Sequence, residues 1–157
     1  MKLKGIVDED FVNYKKPSLF VAFPVCSFKC EMESGARCCQ NSGLAASLSM
    51  EIDCEDIVDR YMKNPITSAI VMGGLEPFDS WGDLYNFIKI IRMKTDDDIV
   101  IYTGYNELEI EDEIESLNVF SNIIVKFGRY VPGQQPHYDG VLGVKLASIN
   151  QYGRRIS

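Results

Sequence analysis

Four short apolar runs, at 18–23, 68–72, 99–102 and 122–125, alternate with stretches of helical character, and this alternation restricts the chain to βα architecture. Ser18-Leu19-Phe20-Val21-Ala22-Phe23 is apolar almost throughout and lies between Pro17 and Pro24, as expected of a strand covered on both faces. Asp53-Cys54-Glu55-Asp56 reads as a capped helix start, with Ile57, Val58, Tyr61 and Met62 at helical spacing and Asn64-Pro65 as a stop. Ser80-Trp81-Gly82-Asp83 has capping-box spacing, and Leu84, Phe87, Ile88 and Ile91 form one apolar stripe. Asn106 is a candidate cap for a third helix carrying Ile110, Ile114 and Leu117. Strands separated by helices pair in parallel, and right-handed crossovers place the helices on one side of a curved sheet. The expected fold is therefore α/β, a curved parallel sheet of βα units. The segment 127–157 is rich in glycine and proline and reads as loop, with a final strand expected within 141–147.

At 157 residues the chain suits one domain, residues 1–157. A net charge of −7, with acidic clusters at 96–98 and 107–115, excludes a general phosphate-backbone binder, so no nucleic acid is expected. The acidic stretch 107–115 reads as a solvated face. No apolar stretch approaches membrane-spanning length, and Asp8, Glu9 and Asp10 follow the basic N-terminus at once. A cytoplasmic protein without a membrane partner is the expectation.

Five cysteines without an export signal read as metal or redox chemistry rather than a disulfide framework. Four of them, Cys26, Cys30, Cys38 and Cys39, fall in the loop 24–41 that follows the first strand, whereas Cys54 reads as a buried thiol at a helix start. Three protein thiolates on a cubane cluster leave one iron open for a cosubstrate. Four clustered thiols also suit a structural zinc site. Gly73-Gly74-Leu75-Glu76-Pro77 closes the second strand, and Cys26, Gly73 and Thr103 all lie just past strand ends, where α/β sheets collect ligand groups. His137, between Pro136 and Tyr138, reads as a surface residue.

Cys26-Ser27-Phe28-Lys29-Cys30 resembles the first half of the C-x3-C-x2-C signature of radical S-adenosylmethionine enzymes, and Gly73-Gly74-Leu75-Glu76-Pro77 resembles their Gly-Gly-Glu-Pro motif with one residue inserted. Val12-Asn13-Tyr14, Cys39-Gln40-Asn41, Tyr102-Thr103-Gly104-Tyr105 and Leu146-Ala147-Ser148-Ile149-Asn150-Gln151 are similar to stretches in anaerobic ribonucleotide reductase activating proteins. Residues 31–37 form an expanded loop relative to that signature.

The resemblance implies a partial (βα) barrel of radical S-adenosylmethionine type, a 4Fe-4S cluster on Cys26, Cys30 and Cys39, and S-adenosyl-L-methionine as cosubstrate. Cys39 is preferred to Cys38 because the family's last cysteine precedes a variable residue and then asparagine, as in Cys39-Gln40-Asn41. Adjacent side chains of an extended segment point apart, so one of the pair is expected to ligate. Gly73 and Gly74 would admit the methionyl end, Glu76 would accept from its ammonium, and Thr103, Ser148 and Asn150 are further candidate contacts. No catalytic residue beyond the cluster ligands is expected. The implied activity is reductive cleavage to a 5'-deoxyadenosyl radical that generates a glycyl radical on a large anaerobic ribonucleotide reductase, with a flavodoxin- or ferredoxin-type electron donor. Activation of another glycyl radical enzyme, or a non-catalytic zinc- or cluster-bearing module, fits the same residues.

Overall fold

A computed structural model describes residues 1–157. In chain order the elements are β1 (Lys2–Leu3), β2 (Gly5–Asp10), β3 (Ser18–Phe23), α1 (Lys29–Ser34), α2 (Ser42–Ala46), β4 (Met50–Glu51), α3 (Cys54–Lys63) and β5 (Ala69–Gly74). There follow α4 (Trp81–Arg92), β6 (Asp98–Tyr102), α5 (Glu111–Leu117), β7 (Ile123–Phe127), β8 (His137–Asp139), β9 (Val144–Leu146) and β10 (Tyr152–Arg155).

Six strands form one sheet in the order β10-β7-β6-β5-β3-β2. The inner four, β3, β5, β6 and β7, pair in parallel, as connections through α3, α4 and α5 require. Both edges are antiparallel: β2 pairs with β3, and β10 with β7. Neither edge strand carries an apolar run; β2 is Gly-Ile-Val-Asp-Glu-Asp and β10 is Tyr-Gly-Arg-Arg. Charged edges resist pairing with other chains.

Side chains alternate along the strands and divide the core in two. Leu19, Val21, Phe23, Ile70, Met72, Ile99, Ile101, Ile123, Val125 and Phe127 face the helices and pack on Ile57, Leu84, Phe87, Ile88 and Leu117. On the opposite face Ala69, Val71, Val100 and Ile124 meet Tyr14, Leu142 and Leu146. The second face is thus covered by the segment before β3 and by the C-terminal segment, not by helices. That segment is more ordered than its composition suggests, because β8 and β9 form a hairpin and buried Asp139 accepts from the backbone N–H groups of Val141, Leu142 and Gly153. Within the expected 141–147 strand, Val144–Leu146 is extended.

Three caps differ from their sequence patterns. Asp53 precedes α3 but makes no side-chain cap. Ser80 makes no side-chain cap at α4; instead Glu76 accepts from Phe78 N–H and caps the 3-10 turn Pro77–Ser80 that leads into it. Asn106 and Glu109 do form a reciprocal capping box, on a 3-10 turn Glu107–Glu109, and α5 begins after it at Glu111. No helix is long and apolar enough to cross a membrane.

Candidate functional site

The carboxyl ends of β3, β5, β6 and β7 converge on a cavity of about 560 Å³, within the usual range for small-molecule sites. Its lining brings together Cys26, Cys30, Cys38, Cys39, Gly73, Gly74, Glu76 and Thr103 from three separate stretches of sequence. Ser148 and Asn150 do not line it. Ser148 is fully buried and accepts from Val131 N–H at 3.3 Å, while Asn150 donates to the Arg129 carbonyl at 2.8 Å. Their polar atoms are used to fold the C-terminal segment, which corrects the expectation that they contact a ligand.

The glycine turn is built for close approach. Gly74 lies at φ 82°, and a Cβ there would stand 2.8 Å from Ala22 Cα, so neither the conformation nor the space admits a side chain. Past it, Leu75 N–H and Glu76 N–H donate to the carbonyls of Phe23 and Val25 at 3.3 and 2.8 Å, so the turn is locked to the chain entering the cysteine loop. Asn41 adds a third tie, donating to the Gly74 carbonyl at 2.7 Å.

Glu76 is buried, 5% exposed. Its carboxylate accepts from Thr103 Oγ1 and Gly104 N–H, each at 2.8 Å, and from Phe78 N–H at 3.2 Å. Burial pushes its carboxyl up to about 7 against the pull of these donors. Glu76 therefore joins the ends of β5 and β6, with at most one lone-pair direction left for a ligand.

The cysteine loop carries one short helix, α1, and leads directly into a second, α2, neither of which buries a residue. Phe28 sits in the left-handed region at φ 53°, an uncommon conformation for a bulky residue, and its N–H donates to Cys26 Sγ at 3.2 Å. Ser27 N–H donates to Asp79 at 2.6 Å, and Asp79 also accepts from Tyr105 O–H at 2.5 Å. Arg129, 6% exposed, grips Glu109 through two bonds of 2.6 Å and stands 3.2 Å from Glu33 of α1. Ion pairs thus fasten the loop to the sheet. Sequence reasoning passed over Lys126 and Arg129, although a lysine breaking the run Ile123-Ile124-Val125-Lys126-Phe127 is an audible signal in a buried strand.

Burial pushes the Cys26 thiol up to about 11, and burial followed by the neighbouring Cys38 and Cys39 raises Cys30. Both members of the vicinal pair therefore act on Cys30, and both line the cavity, so adjacency does not select one of them as expected. Cys38 Sγ lies 3.6 Å from the Cys30 carbonyl and 3.2 Å from Ser34 Oγ, while the Cys39 N–H donates to Glu31 at 3.1 Å. No three of these groups converge on a single point as ligands of one metal ion do, whereas a cluster takes each thiolate on a different iron. The donor set fits an iron–sulfur cluster: soft thiols without histidine, a cavity beside them, and a backbone N–H already on one sulfur. Ligation would displace the thiol protons. Cys54 lies apart, buried at the start of α3 with its S–H directed at Met1.

No curated protein and no solved structure matches the chain. A family model described as "4Fe-4S single cluster domain" matches residues 16–140, which takes in β3, the whole cysteine loop, the glycine turn and the ends of β6 and β7. With that match over most of its length, the thiol-lined cavity belongs to an iron–sulfur protein, and the chain is a member of the 4Fe-4S single cluster domain family, which is found in proteins of radical S-adenosylmethionine type.

Proposed function

We propose that this protein is a radical S-adenosylmethionine enzyme that generates a glycyl radical on a large partner, an anaerobic ribonucleotide reductase. One observation carries the reading: the cysteine loop and the Gly73-Gly74-Leu75-Glu76 turn line the same cavity. The bound cluster would supply a single electron, received from a flavodoxin- or ferredoxin-type donor, to split a sulfonium carbon–sulfur bond into methionine and a 5'-deoxyadenosyl radical.

In this reading Cys26, Cys30 and Cys39 would hold the cluster, which would supply the electron for cleavage of the cosubstrate. Gly73 and Gly74 let the backbone lie against the methionyl end. Glu76 fixes the Gly104 N–H and the Thr103 hydroxyl beside it, and Asn41 keeps the cysteine loop at a set distance from the turn. The sheet is then a shortened partial (βα) barrel of radical S-adenosylmethionine type. Val7 and Val12, 51% and 73% exposed, border the cavity at the β2 edge, which suits a substrate that is a loop of another protein.

Protein reconstituted without oxygen is expected to hold about four irons and four sulfides and, with dithionite, to convert S-adenosylmethionine to methionine and 5'-deoxyadenosine. One zinc per chain and no cleavage would sink the proposal and leave a structural thiolate site. Cleavage without a radical on the reductase would retain the chemistry and reassign the partner to another glycyl radical enzyme.

A further inference from the structure

We propose that Cys38 is a fourth thiolate for the cluster, one that gives up its place to the cosubstrate, an assignment whose second half rests on the S-adenosylmethionine reading above. A cubane has four irons, and the chain brings four thiols, Cys26, Cys30, Cys38 and Cys39, to the lining of one cavity. The fifth, Cys54, is buried elsewhere. Adjacent side chains diverge, which keeps Cys38 and Cys39 from sharing one metal ion. It does not keep them from one cubane, where each thiolate takes a different iron.

The residues 31–37 that lengthen the cysteine loop serve to place this pair. Gly35, at φ 68°, ends α1 with its N–H on the Glu31 carbonyl and turns the chain back. A Cβ on Gly35 would meet nothing within 4 Å, so glycine is there for the turn and not for space. The returning chain sets Cys38 Sγ 3.6 Å from the Cys30 carbonyl and 3.2 Å from Ser34 Oγ, while the Glu31 carboxylate accepts from the Cys39 N–H at 3.1 Å. Glu33 anchors the same short helix to Arg129 at 3.2 Å. The insertion thus carries Cys38 back over Cys30 and holds it at the cavity.

The contacts that keep Cys38 in place without a cluster are weak ones. A thiol is a poor donor, both of its partners are neutral, and its bond to the Cys30 carbonyl is long. No residue of α1 is buried, so a small movement of the loop costs little. On ligation the thiol proton leaves to solvent and an iron–thiolate bond forms. On displacement that bond breaks, the sulfur regains a proton and returns to Ser34 and the Cys30 carbonyl, and no oxidation state changes.

The test reads iron rather than turnover. A cubane iron held by no side chain is lost on brief oxidation with ferricyanide, whereas one held by cysteine is retained. Anaerobically loaded wild type without cosubstrate, and Cys54→Ala, should keep about four irons per chain through that treatment, and Cys38→Ala and Cys38→Val should fall to about three. Val fills the space of the thiol without a sulfur. With the rival thiolate gone, both Cys38 variants should also bind S-adenosylmethionine about tenfold more tightly at equilibrium, as follows when Cys38 occupies the iron about 90% of the time. Equal iron loss in wild type and variants, variants that take up no cluster, or an affinity that is unchanged or lower would overturn the assignment. Iron retention by the wild type alone, with no S-adenosylmethionine bound by any form, keeps Cys38 on the cluster and removes the reading beneath its displacement.

Discussion

The two ends of the same four parallel strands are finished in opposite ways. At the amino ends every buried charge is answered by protein. Asp98, 5% exposed, accepts from Arg155 and Tyr14 at 2.9 Å and pairs with Lys16 at 2.5 Å. Tyr61 O–H donates to Asp97 at 2.6 Å, and Arg92 donates to the carbonyls of Ser121, Thr95 and Asn122. At the carboxyl ends the polar groups border a cavity instead: buried Glu76 and Lys126 make no direct ion pair, although Glu76 acts on Lys126 through space, and four thiols line the space beside them. A sheet edge that completes its own electrostatics contributes stability, and one that sets polar groups and thiols around a cavity is prepared for a ligand.

The largest expected effect separates the two ends outright. Alanine at Cys26, Cys30 or Cys39 should abolish cluster uptake, read as iron content and visible absorption after anaerobic reconstitution, with little change in melting temperature because α1 and α2 bury nothing. Cys54→Ala should keep the cluster. Exchange of roles within the vicinal pair, with Cys38 essential and Cys39 dispensable, would move the third ligand by one residue; a large loss of stability in any of these variants would break the division between open and closed ends.

Gly74→Ala tests whether the open end is rigid despite the cavity it borders. The added Cβ would stand 2.8 and 2.9 Å from Ala22 Cα and Cβ in a backbone at φ 82°. Strain and overpacking together are expected to cost about 3 kcal/mol, a fall of roughly 10 °C in melting temperature. A shift of under about 2 °C would mean that the turn can relax, and that its glycines are not needed for the close approach argued above.

At the closed end the sharper probe is acid. Burial alone would raise the Asp98 carboxyl, but bonds from Lys16, Arg155 and Tyr14 overcome it and hold the group at about 2. A folded-state value below the unfolded one means that its contribution is present above about pH 4 and is lost as pH falls toward 2. That contribution is about 2 kcal/mol. Asp98→Asn should therefore lower stability at neutral pH by about this amount, flatten the acid limb of a denaturant-unfolding series, and leave cluster uptake unchanged. An unchanged acid limb would refute the pairing.

What was legible in the sequence follows the same division. The inner strands are written as apolar runs because both of their faces are covered, and 18–23 matches β3 residue for residue. Helix α3 likewise spans 54–63, since its apolar stripe and stop are local, although Asp53 makes no side-chain cap there. Strand β2 was illegible because Gly5–Asp10 is polar and half exposed, and its place depends on pairing with β3 across an intervening loop. Asp139 and the β8–β9 hairpin were hidden for a related reason: they owe their order to side-chain caps and to contact with the far face of the sheet, which leave no period in the sequence. The site's components were visible as motifs, and Lys126 was visible only as the one polar residue in the run Ile123-Ile124-Val125-Lys126-Phe127.

The smallest effect concerns Ser148, which sequence similarity places at the ligand and the fold places behind it. Its hydroxyl accepts from Val131 N–H at 3.3 Å and reaches the Arg129 carbonyl at 3.5 Å, in a fully buried position. Removing it with Ser148→Ala leaves one half-buried backbone donor without its partner, a loss of about 1 kcal/mol. Because the hydroxyl does not border the cavity, S-adenosylmethionine affinity of the cluster-loaded variant should match the wild type. Chemical denaturation and equilibrium binding on the same preparation separate the two readings: a loss in stability alone assigns Ser148 to the closed part of the molecule, and a tenfold loss in affinity with unchanged stability returns it to the open end.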